Sequence, residues 1–189
     1  MYLNTGLPFT DVPADSWFYE AVKFGYNEGL FQGVTETLFQ PAGSMTRAMF
    51  VTTLARMDGA ELDPEAHTAF ADVREGSYYE GAVAWAVEAG IVKGTSATTF
   101  SPAAEITREQ MVTMLCRYAK YLGEDTTADT AALEDFADWG TVSGWARSSM
   151  AWAVEEGIVN GTGVGLEPKG QATRAQGAQV LMNFALRED

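Results

Sequence analysis

Thr107-Arg108-Glu109-Gln110, matched by Thr46-Arg47-Ala48-Met49 and Thr173-Arg174-Ala175-Gln176, is the stretch that decides the fold. An apolar stripe at helical spacing follows it, with Met111, Met114, Leu115 and Tyr118 on one face, so the Thr-Arg pair opens an amphipathic helix. Upstream, Pro41, Pro102 and Pro168 stand at the same distance from their arginines (47 − 41, 108 − 102, 174 − 168). Further back, Phe9-Thr10-Asp11, Phe70-Ala71-Asp72 and Phe136-Ala137-Asp138 keep the same register, and each Asp precedes its proline by 30 positions (41 − 11, 102 − 72, 168 − 138). Between them lies a Gly-x-x-x-Gly pair, at Gly29/Gly33, Gly90/Gly94 and Gly157/Gly161. The period is 61 residues (72 − 11) and then 66 (138 − 72). Landmarks that stay in step across three copies define an internal repeat.

Each copy reads as helix-loop-helix. The spacing predicts first helices over Trp17 to Glu28, Tyr78 to Ala89 and Trp145 to Glu156, with Asp15, Ser77 and Ser143 as N-caps. In the second copy Val83, Ala86, Val87 and Gly90 fall on one helical face. The first glycine of each pair ends its helix as a C′ residue. A turn-rich loop then leads to the proline and the second helix. The repeats span 9–60, 70–122 and 136–187, joined by polar connectors (Asp58 to Thr68, Gly123 to Glu134), and together form one compact all-α unit.

Composition narrows the chemistry. The chain has 189 residues, nearly half of them apolar, and a net charge of −14 from 26 acidic against 12 basic residues. Binding phosphate backbones or an anionic membrane needs a basic face, so neither nucleic acid nor membrane is the expected partner. No apolar run reaches the roughly 18 residues of a membrane span. Met1-Tyr2-Leu3-Asn4 has neither the basic start nor the apolar core of a signal peptide, so an exported chain would be a mature segment or an excised fragment. One cysteine, Cys116, excludes an internal disulfide and reads as a buried small apolar residue. One histidine, His67, reads as an exposed loop residue and excludes a His-based metal cluster. Asp11 to Asp15 lacks the spacing of a calcium loop. No metal or cofactor is expected. The acids form no distinctive pair, so a solvated acidic surface is expected rather than an active site.

The Thr-Arg starts carry a further signal. In the second and third copies Thr at the N-cap and Gln at N3 make a capping box; Met49 leaves only half of it in the first. The arginine is not explained by capping. A cation at N1 opposes the helix dipole by about 0.3–1 kcal/mol. Three repetitions of that cost imply a partner for Arg47, Arg108 and Arg174. It is either an internal carboxylate (Asp11, Asp72 or Asp138) or a bound anion held by the guanidinium and the free N–H groups of the helix start. Aromatic residues cluster near the first helices at Trp17, Tyr78 and Trp145, where they serve either the core or the face of a sugar ring.

These pieces resemble the S-layer homology family, whose repeat runs Phe-x-Asp-Val, an aromatic, Gly-Ile-x-x-Gly, Phe-x-Pro and Thr-Arg-Ala-Glu. The matching residues include Phe70-Ala71-Asp72-Val73, Gly90-Ile91-Val92-Lys93-Gly94 and Phe100-Ser101-Pro102, and the likeness runs from about Phe9 to about Leu186. It implies a pseudo-threefold bundle, a three-pronged spindle with ligand grooves between neighbouring repeats. It further implies a non-catalytic extracellular module that anchors a larger surface protein to a bacterial secondary cell-wall polysaccharide, whose pyruvylated sugar is an anion. By that resemblance Arg47, Arg108 and Arg174 carry the contact. Backbone amides near Gly33, Gly94 and Gly161, and nearby Trp17, Tyr78 and Trp145, assist them. Thr37 and Thr98 stand where the family often has glycine, which implies a different turn. A second reading, from another class, is an envelope protein–protein or S-layer self-assembly module that binds no glycan.

Overall fold

The computed structural model describes residues 6–63, 65 and 67–187. The signal-peptide reading falls on residues 1–5, outside the described residues, as do positions 64 and 66 of the first connector. Six α-helices run in pairs: α1 (Tyr19–Asn27) with α2 (Arg47–Asp58), α3 (Glu80–Glu88) with α4 (Arg108–Tyr121), and α5 (Arg147–Glu155) with α6 (Arg174–Leu186). Among the described residues no strand forms, and the all-α, three-repeat expectation holds.

The centre is a ring. The three residues just before the Thr-Arg starts, Met45, Ile106 and Ala172, are fully buried on the pseudo-threefold axis. Met45 N–H donates to the Ala172 carbonyl (2.8 Å), Ala172 N–H to Ile106 (2.9 Å) and Ile106 N–H to Met45 (2.9 Å). Each copy therefore needs the other two to satisfy its buried backbone. Packing follows the same cyclic rule: α2 lies on α3, α4 on α5, and α6 returns to α1. The second helix of one copy shares its apolar face with the first helix of the next. The stripe of α4 (Met111, Met114, Leu115 and Tyr118) is buried, and so is Cys116.

The second helices begin as read. Thr46, Thr107 and Thr173 accept from the N3 amide, and the full capping box forms at Thr107/Gln110 and Thr173/Gln176. The first helices differ at their starts. They open two residues late, and Asp15, Ser77 and Ser143 do not cap them; the N-cap positions are Phe18, Tyr79 and Ala146, without side-chain caps. A tight turn precedes each helix instead, as in Tyr19 N–H to Ser16 O. Ser143 is tied to the buried Glu109 carboxylate, which accepts from its N–H and its hydroxyl and pairs with Lys169. At the far ends Gly29, Gly90 and Gly157 are left-handed C′ residues. In the first copy Leu30 N–H donates to Gly25 O and Gly29 N–H to Tyr26 O, a Schellman closure. Val87, read as part of the apolar face, is exposed. The second connector is not simply polar: its 3₁₀ turn Thr130–Leu133 sends fully buried Leu133 against α5.

The repeated aspartates organise the loops. Asp11 accepts from Phe39 N–H (2.8 Å) and Gln40 N–H (2.7 Å). Asp72 does the same for Phe100 and Ser101, and Asp138 for Leu166 and Glu167. These bonds hold Gln40, Ser101 and Glu167 at positive φ, 57°, 58° and 47°. The strained positions are thus the residues before the prolines, not Thr37 and Thr98. The Phe100 amide holds Asp72 below the usual carboxyl value of 3.8, helped by Ser101 and the field of Arg47. Burial pushes Asp138 upward, but the Leu166 and Glu167 amides outweigh it and the net shift is again downward. Gly33 and Gly94 admit the rings of Phe9 and Phe70: a Cβ at either would stand 2.5 Å from the ring and overlap loop carbonyls.

Two outcomes follow. Gly94→Ala destabilises the fold by about 1–3 kcal/mol through overpacking, measured by urea unfolding. A depressed native pKa means that Asp72 and Asp138 contribute stability above the ordinary carboxyl value and lose it as pH falls through their lower folded values. The urea midpoint therefore drops between neutral pH and about pH 3, and Asp72→Asn removes part of that dependence.

Candidate ligand grooves between the repeats

The three arginines reach across copies. Arg47 Nε donates to Phe100 O (2.8 Å), Arg108 Nε to Leu166 O (2.8 Å) and Arg174 Nε to Phe39 O (2.7 Å). Arg47 Nη2 also donates to Lys93 O and Arg174 Nη2 to Gln32 O, both at 2.7 Å. Among the described residues none of the three pairs directly with a carboxylate. The partner that the sequence argument required is a backbone carbonyl of the next copy. Asp11, Asp72 and Asp138 act on the same peptides from the other side. Burial draws all three guanidinium groups below their usual value, with Asp72 opposing that for Arg47, Glu167 and Asp138 for Arg108, and Tyr78 and Asp11 for Arg174. Arg47 lies over the Phe100 ring (4.6 Å to the centroid) and Arg174 over Phe39 (4.5 Å).

The helix starts are not open to an anion, contrary to the sequence expectation. Arg47 N–H donates to Ala104 O and Ala48 N–H to Pro102 O; Arg108 and Glu109 bind Gly170 O and Pro168 O; Arg174 and Ala175 bind Gly43 O and Pro41 O. Those amides close the ring of repeats.

Beside each arginine a groove opens, and each groove takes residues from all three copies. In the first, Arg174 meets the Leu30–Val34 loop, the exposed side of α2 and Tyr78, around about 280 Å³. In the second, Arg47 meets Val92–Gly94, α4 and Trp145, around about 270 Å³. In the third, Arg108 meets Ile158–Thr162, α6 and Trp17, around about 520 Å³. The structure thus brings each arginine, its glycine (Gly33, Gly94 or Gly161) and one aromatic into a common cleft. Trp17, Tyr78 and Trp145 are 63%, 64% and 59% exposed, whereas their neighbours Phe18 and Tyr79 turn toward the core. The Gly33, Gly94 and Gly161 amides donate to no acceptor among the described residues. The aspartates do not face the grooves as lining residues; they act behind them.

Sequence reading missed a second basic position. Arg56 and Arg117 lie on the exposed faces of α2 and α4, nine residues after the helix-start arginines (56 − 47, 117 − 108), and line the first and second grooves. Arg56 Nη1 donates to Leu30 O (3.0 Å) and Arg117 Nη1 reaches Ile91 O at 3.5 Å. Register with Arg47 and Arg108 was the signal that could have found them. A fourth hollow beside Glu155, Glu156 and Arg187 offers no comparable site: Arg187 is paired with Glu124 and Glu156.

A closed ring of three helix pairs with an inter-repeat groove at each junction defines a threefold repeat module. The chain belongs to the S-layer homology domain family, which it matches over residues 8–49, 69–112 and 135–178. It is 32% identical over 93% of its length to "S-layer protein sap" of Bacillus anthracis, of which it covers 21%. It is 32% identical over 94% of its length to an endoglucanase of Bacillus sp. (strain KSM-635), covering 19% of it. With the surface-layer 125 kDa protein of Lysinibacillus sphaericus it shares 33% identity over 86% of the chain and 13% of that protein. The chain spans about a fifth of the length of the first two relatives. Its family and relatives mark it as an anchoring module of the bacterial cell surface. Among the described residues no helix is long and apolar enough to cross a membrane.

The geometry separates two kinds of arginine. Arg174→Ala strands two loop carbonyls and is expected to cost about 2–4 kcal/mol. Arg56→Ala, on an exposed helix face, is expected to stay within about 0.5 kcal/mol. Thermal and urea unfolding of the two variants check the contrast.

Proposed function

We propose that the chain is a non-catalytic wall anchor whose inter-repeat grooves hold an anionic, pyruvylated secondary cell-wall polysaccharide. One observation carries this reading: in the first two grooves a pair of guanidinium groups faces one exposed aromatic ring. Arg174 and Arg56 bond carbonyls two residues apart, at Gln32 and Leu30, beside Tyr78. Arg47 and Arg117 repeat this at Lys93 and Ile91, beside Trp145, with Lys93 adding a third cation. A pyruvyl ketal presents a carboxylate on a rigid sugar, so the guanidinium pair meets the charge and the aromatic face meets the ring. The arginines are pre-positioned by their backbone bonds, which lowers the ordering cost of binding. Basic groups gathered at these sites, in a chain of net charge −14, also focus attraction for an anion there.

Because Arg47, Arg108 and Arg174 also hold the fold, the informative variants are the exposed ones. Pelleting of the chain with isolated wall sacculi is the assay. Arg56→Ala with Arg117→Ala, and separately Tyr78→Ala with Trp145→Ala, weaken pelleting by roughly tenfold or more with the fold intact. Binding also weakens as salt rises, because exposed charges are screened. Extraction of the secondary polymer abolishes pelleting. Pelleting that survives extraction and ignores these variants would favour a protein–protein or S-layer self-assembly role instead.

A further inference from the structure

The third groove keeps its helix-start arginine but loses the second guanidinium that both sisters have. Where α2 and α4 present Arg56 and Arg117, α6 presents Asn183 (183 − 174, the same nine-residue step). Lys93 of the second groove has Asn160 as its counterpart, one residue before the glycine in each loop (94 − 93, 161 − 160). Gln179 stands where Thr52 and Thr113 stand, and Glu167 joins the lining. The one remaining cation, Arg108, is therefore balanced by one carboxylate within the same wall. The groove is also nearly twice as large, at about 520 Å³ against 280 and 270 Å³. Among the described residues no aromatic ring lies beneath Arg108, and Leu166 stands where Phe39 and Phe100 carry Arg174 and Arg47.

The carboxamides are arranged rather than scattered. Asn183 Nδ2 donates to Ile158 O (3.0 Å), taking over the backbone bond that Arg56 makes in the first copy. Gln179 Nε2 donates to Asn183 Oδ1 (2.8 Å), which leaves Gln179 Oε1 as an acceptor. Gln176 Oε1 is used by the capping box, which leaves its Nε2 as a donor. Trp17, largely exposed, supplies a flat apolar face opposite these groups. Neutral donors and acceptors beside an indole, with no net charge, suit hydroxyl and acetamido groups rather than a carboxylate.

We infer that the Trp17 groove takes an uncharged N-acetylhexosamine unit, so that one chain reads the anionic and the neutral parts of a wall polymer in different grooves. The inference rests on the anchoring reading above and assigns the third groove a different ligand class.

Two probes test it by ¹H–¹⁵N spectra of the intact chain: the methyl glycoside of a single N-acetylhexosamine, and the same glycoside carrying a pyruvyl ketal. The neutral probe is expected to shift the Trp17 indole N–H and the Gln179 and Asn183 side-chain amides, leave the Trp145 indole unmoved, and change in affinity by less than about twofold across a tenfold rise in salt. Trp17→Ala with Gln179→Ala removes the neutral response, read at Asn183. Asn183→Arg, which supplies the missing guanidinium, makes the ketal probe shift the Trp17 indole. If the ketal probe moves the Trp145 indole while the neutral probe moves nothing in the third groove, the inference is overturned and the anchoring reading stands. A ketal probe that shifts Trp17 as strongly as Trp145 in the native chain also overturns it. A ketal probe that moves none of the three grooves overturns the anchoring reading and this inference together.

Discussion

One peptide bond in each copy is gripped at both poles, and the rest of the structure depends on it. In the first copy the Phe39 carbonyl accepts from Arg174 while the following Gln40 N–H is held by Asp11. The aspartate belongs to the same copy and the arginine to the previous one. The equivalent peptides are Phe100–Ser101, between Arg47 and Asp72, and Leu166–Glu167, between Arg108 and Asp138. A charged donor and a charged acceptor on one peptide make bonds stronger than neutral pairs, and they offset the strain of a positive φ at Gln40, Ser101 and Glu167. Because each clamp joins two copies, three clamps make a closed ring.

Ring closure settles what the helix starts are for. Their first amides, which elsewhere can hold an anion, are consumed by proline-loop carbonyls, and the residues before them form the buried hub at Met45, Ile106 and Ala172. The capping Thr residues satisfy the next amide. A cation at N1 is therefore tolerated because its side chain leaves the helix and binds a neighbouring loop. The same displacement brings the guanidinium edge to the inter-repeat cleft, beside a glycine kept bare by the phenylalanine ring behind it. A structural role and the proposed ligand-facing role meet in one side chain, and the residues nine positions further along α2, α4 and α6 (Arg56, Arg117 and Asn183) give each cleft its own charge.

Much of this was legible in the sequence. The register of aspartate, proline and Thr-Arg gave three copies and all-α helix pairs, since local capping and apolar periodicity are encoded within a few residues. Two of the capping boxes and the half box at Thr46 could be read from single side chains. The arginine anomaly was visible as well, because a cation at N1 violates a local rule. Its resolution was not, since the Phe39, Phe100 and Leu166 carbonyls lie 53 to 135 residues from the arginines they bind. A separation of 34 residues hid Glu109 reaching Ser143, and local turns ahead of the first helices, rather than side-chain caps, set where those helices begin. Arg56 and Arg117 were passed over because a basic residue on an exposed helix face ordinarily serves only solvent; only the groove across from them gives them company.

The most direct test of the central claim is a crystal structure of the chain with a pyruvylated N-acetylhexosamine disaccharide. The account predicts the ketal carboxylate between Arg174 and Arg56, with the sugar against Tyr78, and a second copy between Arg47 and Arg117 against Trp145. A disaccharide seated away from both guanidinium pairs, with those grooves filled only by solvent, would contradict it.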